Sequence, residues 1–140
     1  MSADNLVHRY IETFNRKDAA GFAALFALDT ILHDPFFPEP TKGRDAVRTM
    51  IEGILQAFPD MTWTQVGDLV DSGDRVAFVV DVEGTNDGPL AMPAGMMPPT
   101  GNPISYESAV FWTLDSDGLV GEERSYFDAT GVGAQLGIIG

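Results

Sequence analysis

The chain has 140 residues, 44% of them hydrophobic and 21% charged, which supplies apolar side chains for one sizeable core and argues against disorder. Eight basic against twenty-one acidic side chains leave a formal net charge of −13, a field that repels polyanions and excludes nucleic acid and anionic membrane surfaces as expected partners. Cysteine is absent, so disulfides, thiolate chemistry and Cys-based zinc sites are excluded as well.

The opening "MSADNLVHRY" has no basic segment followed by an apolar one, and no apolar run approaches the ~18 residues of a membrane span. The expectation is a single domain over 1–140, soluble and cytoplasmic. Val7, Tyr10, Ile11 and Phe14 recur at helical spacing and predict an amphipathic helix over 2–15. Asp18 stands as the N-cap of a second short helix, "AAGFAALF". Residues 28–34 read as a strand that ends at Asp34, because Pro35 supplies no ladder N–H and holds its predecessor extended. "TKGRDAVRTMIEGILQAF" spaces Val47, Ile51, Ile54, Leu55 and Phe58 by three and four, a third helix starting near Gly43 and Asp45.

Four stretches rich in β-branched and aromatic residues follow: "MTWTQVGDLVD", "RVAFVVDVEGT", "ISYESAVFWTL" and "LVGEERSYFD". Helices first and strands after predict an α+β fold. The segment 86–103, "NDGPLAMPAGMMPPTGNP", is long for a connection between strands, and its methionines suit either a lid over a ligand or a subunit contact.

Within "TILHDPFFPEP" a carboxylate precedes two phenylalanines and three prolines. Asp34 beside Phe36 and Phe37, shielded from water, would have its charged form disfavoured and its basicity raised; the plainer alternative is a turn cap before proline. His33 points to the opposite face of the same strand and is a second-rank candidate, or a surface or interface residue. Metal binding is not expected, because His8 and His33 are the only histidines and lack the i, i+4 spacing. No dinucleotide fingerprint, phosphate loop or nucleophile elbow occurs, and no cofactor is expected.

In element order and motifs the chain resembles the nuclear-transport-factor-two-like cone-shaped α+β superfamily, which includes ketosteroid isomerases, limonene epoxide hydrolases and SnoaL-like polyketide cyclases. The segment "HRYIETFNRKDAAGFAALFALDTILHDPFFPEPTKGRDAVRTMI" is similar to the isomerase pattern, which puts Tyr10 in place of the oxyanion-hole tyrosine and Asp34 in place of the general base. "PPTG" at 98–101 with "EERSYFDATGVGAQLG" from 122 resembles the more distinctive SnoaL-like cyclase signature, which puts Asp128 in place of the acid/base aspartate. Where the isomerases carry a protonated aspartate, this chain has Val110 or a neighbour. The resemblance implies three N-terminal helices packed on a strongly curved, mostly antiparallel sheet around an apolar cavity.

Along the last strand, Glu123, Ser125 and Phe127 share one face and Glu122, Arg124, Tyr126 and Asp128 the other, so Glu123 and Asp128 cannot both enter one cavity if the strand is regular. The resemblance favours Asp128. Phe14, Phe37, Trp63, Met92, Met96, Trp112 and Phe127 are the expected lining for a small hydrophobic ligand.

The expected function is cofactor-free general acid/base chemistry on a small hydrophobic carbonyl compound, cyclase-like or isomerase-like, through Asp34, Asp128, Tyr10 and secondarily His33. The alternatives are a non-catalytic ligand-binding or assembly domain on the same scaffold, or an epoxide hydrolase-like activity centred on Arg124. A homodimer through an outward apolar sheet face, including "AVFWT", is expected under either of the first two readings.

Overall fold

The computed structural model describes residues 2–138. Helix α1 (Ala3–Asn15) begins at Ser2, whose hydroxyl accepts from the Asn5 N–H at 3.2 Å, and it buries Leu6, Val7, Tyr10 and Phe14 along one face. Helix α2 (Ala19–Ala23) is capped by Asp18, whose carboxylate accepts from the Gly21 N–H at 2.9 Å. A side chain at Gly21 would put its Cβ 2.3 Å from that carboxylate, so cap and glycine are required together.

Strand β1 (Phe26–His33) leads through the short β2 (Thr41–Lys42) to helix α3 (Arg44–Ala57). Strands β3 (Thr62–Asp71), β4 (Arg75–Thr85), β7 (Pro103–Leu114) and β8 (Val120–Tyr126) complete a six-stranded sheet ordered β2-β1-β8-β7-β4-β3. Among the described strands of this sheet only the β1–β8 pair is parallel. Helices α1 and α3 close the concave side, with Val7, Phe14, Val47 and Ile51 packed against Val76, Val80, Val110 and Trp112 of the sheet. Among the described residues no helix is long and apolar enough to cross a membrane.

Three local expectations change. The first strand runs from Phe26 to His33 rather than from 28 to 34, and its register with β8 shifts between Phe26 and Ile31, a bulge that leaves Leu28 exposed. Asp34 lies one residue past the strand, where Phe36 N–H donates to its Oδ1 at 2.8 Å and Phe37 N–H to its carbonyl at 3.1 Å. A fourth helix, α4 (Ala129–Leu136), occupies a stretch whose glycines conceal its helical character. Asp128 begins it as N-cap and left-handed Gly137 ends it.

The long segment 86–103 has structure of its own: strands β5 (Leu90–Met92) and β6 (Gly95–Met97) pair as a separate hairpin beside α3. Its base is held by fully buried Asn86. The Asn86 amide donates to the carbonyls of Ala57 (3.2 Å) and Gly88 (3.0 Å), and its Oδ1 accepts from both the N–H and the hydroxyl of Thr100, at 2.9 and 3.0 Å. These bonds tie the hairpin's two ends to each other and to the end of α3. Helix α4 is tied in turn to β7, because Gln135 bridges both backbone groups of Ser105 and Asn102 donates to the Leu136 carbonyl.

Replacing Asn86 by alanine leaves two carbonyls and the Thr100 donors without a buried partner, so Asn86→Ala should lower the unfolding free energy by about 2–3 kcal/mol. Urea denaturation monitored by fluorescence measures it, and an unchanged midpoint would show that the clamp carries little of the fold's stability.

Candidate active site

A cavity lies between the concave sheet, α1, α3 and the β5–β6 hairpin. It has two lobes, each of about 60 Å³, which share Asp34, Ile54, Met61, Tyr106 and Phe127 in their walls. The outer lobe is closed by Phe36, Phe37, Leu90, Met92 and Leu136. The inner lobe is lined by Tyr10, Trp63, Val110, Ser108 and Ser125 among others. Asp34 therefore stands at the seam, reachable from both.

Burial raises the Asp34 carboxyl above the ordinary aspartate range, and the Phe36 N–H bond to Oδ1 partly opposes this. Because that turn uses only Oδ1, Oδ2 has no hydrogen-bond partner among the described residues. The sequence offered a turn cap and a water-shielded carboxyl as alternatives; the geometry gives Asp34 both the turn bond and the shielding. Tyr106 comes from the concave face of β7, and burial together with the neighbouring Asp34 charge raises its phenol well above the ordinary value. Tyr10 is 3% exposed, and burial followed by the charge of Glu123 raises it in the same direction. Both phenols stay protonated at any ordinary pH and are donors.

The second carboxyl near the cavity is Glu123, not Asp128. Strand β8 is regular through this stretch, so Glu123, Ser125 and Phe127 turn inward while Glu122, Arg124 and Tyr126 turn outward. Asp128 lies beyond the strand's end, exposed, and its carboxylate accepts from the Gly131 N–H at 2.9 Å as a helix cap. Its expected place in the pocket is thereby corrected.

Glu123 is only 3% exposed; Trp112 Nε1–H donates to its Oε1 at 2.9 Å and the Ser125 hydroxyl lies 3.4 Å from its Oε2. Burial pushes this carboxyl up to about 7, with the Asp34 charge adding to the rise and the bonds from Trp112, Tyr10 and Ser125 opposing it. Among the described residues no cation partners it.

The remaining expected residues divide. Phe37, Met92 and Phe127 line the outer lobe, and Trp63 lines the inner. Phe14 does not line either lobe; it stacks behind Trp63 with ring centroids 3.7 Å apart and planes 8° from parallel. Trp112 likewise stands behind the wall and serves Glu123. Met96 is 61% exposed, because the two-residue period of the hairpin turns it outward while Met92 turns inward. His33 faces away from the cavity, as strand alternation requires, and its Nε2 lies 3.2 Å from Glu122 Oε2. Arg124 shares that outer carboxylate at 3.6 Å, so an arginine-centred arrangement in the cavity is absent among the described residues.

The sequence expectations do not include Tyr106 or Ser108, and they set Glu123 against Asp128 as the carboxyl facing the pocket, with the resemblance favouring Asp128. The signal for Glu123 was present: Phe127 was expected in the lining, and any residue an even number of positions before it on a regular strand shares its face.

A cone-shaped sheet wrapped on helices around an apolar cavity with few polar groups defines the nuclear-transport-factor-two-like, ketosteroid isomerase-like class of fold. The family model of the SnoaL-like domain matches residues 7–123, and the chain belongs to that family. Among solved structures, the chain is similar to IdmH, a proposed polyketide cyclase from Streptomyces antibioticus, at 27% identity over 98% of this chain and 99% of that one, with a TM-score of 0.75. It is also similar to AclR, a proposed hydroxylase from Streptomyces galilaeus, at 25% identity over 96% and 80% of the two chains, with a TM-score of 0.77. A third similarity is to a protein of ketosteroid isomerase-like fold from Catenulispora acidiphila, solved with trimethylamine, at 16% identity over 98% and 95% of the chains and a TM-score of 0.79.

Glu123 predicts a pH signature in stability. Its folded value of about 7 exceeds the ordinary 4.5, so between these pH values the folded chain retains a proton that the unfolded chain has lost. The stabilising contribution is complete below about 4.5 and disappears as the pH rises through about 7. Thermal or urea unfolding of Glu123→Gln should therefore lose on the order of 3 kcal/mol of this slope relative to wild type. Parallel pH profiles for the two proteins would contradict the assignment.

Proposed function

We propose that this chain is an enzyme of the polyketide cyclase type that works by general acid/base chemistry, without a cofactor, on a small hydrophobic carbonyl compound. The single observation that carries the reading is Asp34 at the seam of the two lobes, with one carboxylate oxygen used by its turn and the other free, and with protonated phenols on the same wall. Membership of the SnoaL-like family supports it.

With a substrate across the seam, the Asp34 carboxylate takes a proton from the carbon next to the carbonyl. Its desolvation raises its basicity for that step. The negative charge that develops on the carbonyl oxygen needs fixed donors in a dry site, and Tyr10 and Tyr106 are the two phenols available to supply them. The resulting enolate carbon can attack a second carbonyl of the same molecule, closing a ring, or be reprotonated at another position, which is isomerisation. A multi-carbonyl chain folded in the cavity favours the first outcome.

Assembly is the second part of the proposal. Outward residues of the sheet align across strands in two rows, Val66–Val79–Ala109–Tyr126 and Val70–Ala77–Phe111–Arg124. Phe111 and Tyr126 are 48% and 56% exposed, with rings 5.8 Å apart, and Asp81 and Glu107 face each other at the edge of the apolar rows. A second copy laid on the same face would cover them symmetrically, giving a homodimer.

The catalytic reading is tested by proton exchange at carbon. In D2O the wild-type protein should accelerate deuterium uptake next to the carbonyl of 2-tetralone, followed by NMR, and Asp34→Asn should reduce that rate by about 10²–10⁴ without lowering the Tm. Because the base must be ionised, the rate should fall at acid pH through a pKa above the ordinary aspartate range. Equal exchange by variant and wild type would sink the assignment and favour the non-catalytic ligand-binding alternative. For assembly, light scattering should give about twice the 15.1 kDa chain mass, and Phe111→Glu should return a monomer; a monomeric wild type removes the dimer.

A further inference from the structure

Glu123 is a buried titratable group that the proton abstraction just described does not use. It lies outside both lobes, behind the wall of the inner one. Its polar neighbours are unusual in kind. Trp112 supplies a fixed indole N–H to Oε1, which can only donate. Two further hydroxyls stand near it on side chains that line the inner lobe, Ser125 Oγ at 3.4 Å from Oε2 and the Tyr10 phenol, whose proximity opposes the carboxyl's rise, and each holds one proton that it can direct either backward or inward.

We propose that Glu123 is a positioning residue whose protonation decides whether the Tyr10 and Ser125 hydroxyls donate into the inner lobe or away from it. When the carboxyl is ionised it is only an acceptor, and the two hydroxyls satisfy it by turning their protons backward. They then present lone pairs to the cavity. When the carboxyl is protonated, its own O–H donates to one of these hydroxyl oxygens, which frees that hydroxyl's proton to point at a ligand. The inner lobe is accordingly a donor site for a carbonyl oxygen in one state and an acceptor site for a hydroxyl in the other. This inference rests on the cavity being the substrate site, but not on Asp34 being the base.

The groups able to disturb such a switch are few. From α1 only Tyr10 faces Glu123, and from the end of β1 the Asp34 charge reaches it. Strand β7 contributes the uncharged Trp112 and, next to Asp34, Tyr106. Glu122 and Arg124 of β8 pair with each other on the outer face. Titration of the carboxyl near neutrality puts both states within reach of ordinary pH.

The test is ligand affinity against pH between 5 and 9, measured by NMR in the Asp34→Asn background, so that the other cavity carboxyl neither ionises nor catalyses. The probes are cyclohexanone, an acceptor, and methylenecyclohexane, which has the same shape and no oxygen. Cyclohexanone should bind about tenfold more tightly at the acid end, the ratio expected for gaining one hydrogen bond, while methylenecyclohexane shows no dependence. Glu123→Gln, whose amide donates like the protonated acid, should hold the tight value across the range, and Tyr10→Phe should reduce the pH effect. The proposal is overturned by cyclohexanone binding that is absent at both ends, by an effect that Glu123→Gln leaves intact, or by one that the hydrocarbon shares. Loss of carbon exchange in the earlier experiment would leave this affinity pattern untouched, so the two readings fail separately.

Discussion

The site depends on keeping carboxyl groups inside an aromatic interior without a cation to neutralise them. Removing a carboxylate from water is costly, and an unpaired one usually takes up a proton rather than remain charged. Here the cost is distributed by geometry. Asp34 retains one backbone donor and a place beside the Tyr106 phenol at the seam of the cavity, and Glu123, deeper in, is met by an indole N–H and the Ser125 hydroxyl. Two carboxyls of similar intrinsic acidity are thereby held in different environments, and charge on the first discourages charge on the second. A lysine or arginine near either would lower both values and remove the raised basicity on which the proposed chemistry rests.

The fold supplies this arrangement through two constraints that have little to do with catalysis. One is the proline after Asp34, which prevents the strand from continuing and turns the carboxylate across the sheet's end instead of along its face. The other is the strict two-residue period of β7 and β8, which sends Tyr106, Ser108, Val110 and Trp112 inward together with Glu123, Ser125 and Phe127. The β5–β6 hairpin then supplies part of the outer lobe's wall. Its anchor, Asn86, holds both its ends while leaving Leu90 and Met92 free to pack on whatever fills the space.

Much of this was legible in the residues. Helical spacing gave the three N-terminal helices, turn residues separated the long strands, and Asp34 stood out because a carboxylate before proline and paired phenylalanines is an uncommon combination. The misplacement of Asp128 has a specific cause. "DAAG" at 18–21 and "DATG" at 128–131 are the same device, an aspartate capping a helix through the N–H of a glycine three residues on. Gly131, like Gly21, would bring a Cβ to within 2.4 Å of the carboxylate if it carried one. The first was read as a cap because apolar helical spacing follows it, whereas "GVGAQLG" hides its spacing behind glycines. Motif resemblance then outweighed local chemistry.

Glu123 ranks behind Asp128 for a different reason: burial is a property of the assembled fold, and Glu is rarely found in cores. Yet period-two geometry alone restricts the choice. A strand that directs Phe127 toward the concave interior must direct Glu123 to that same side, unless a bulge intervenes. The irregularity of the β7–β8 pair falls between Thr113 and Leu114, beyond Glu123's partner Trp112. The donor that holds the buried carboxyl is therefore fixed by the same register that buries it, and neither could be retained if the strand slipped by one residue.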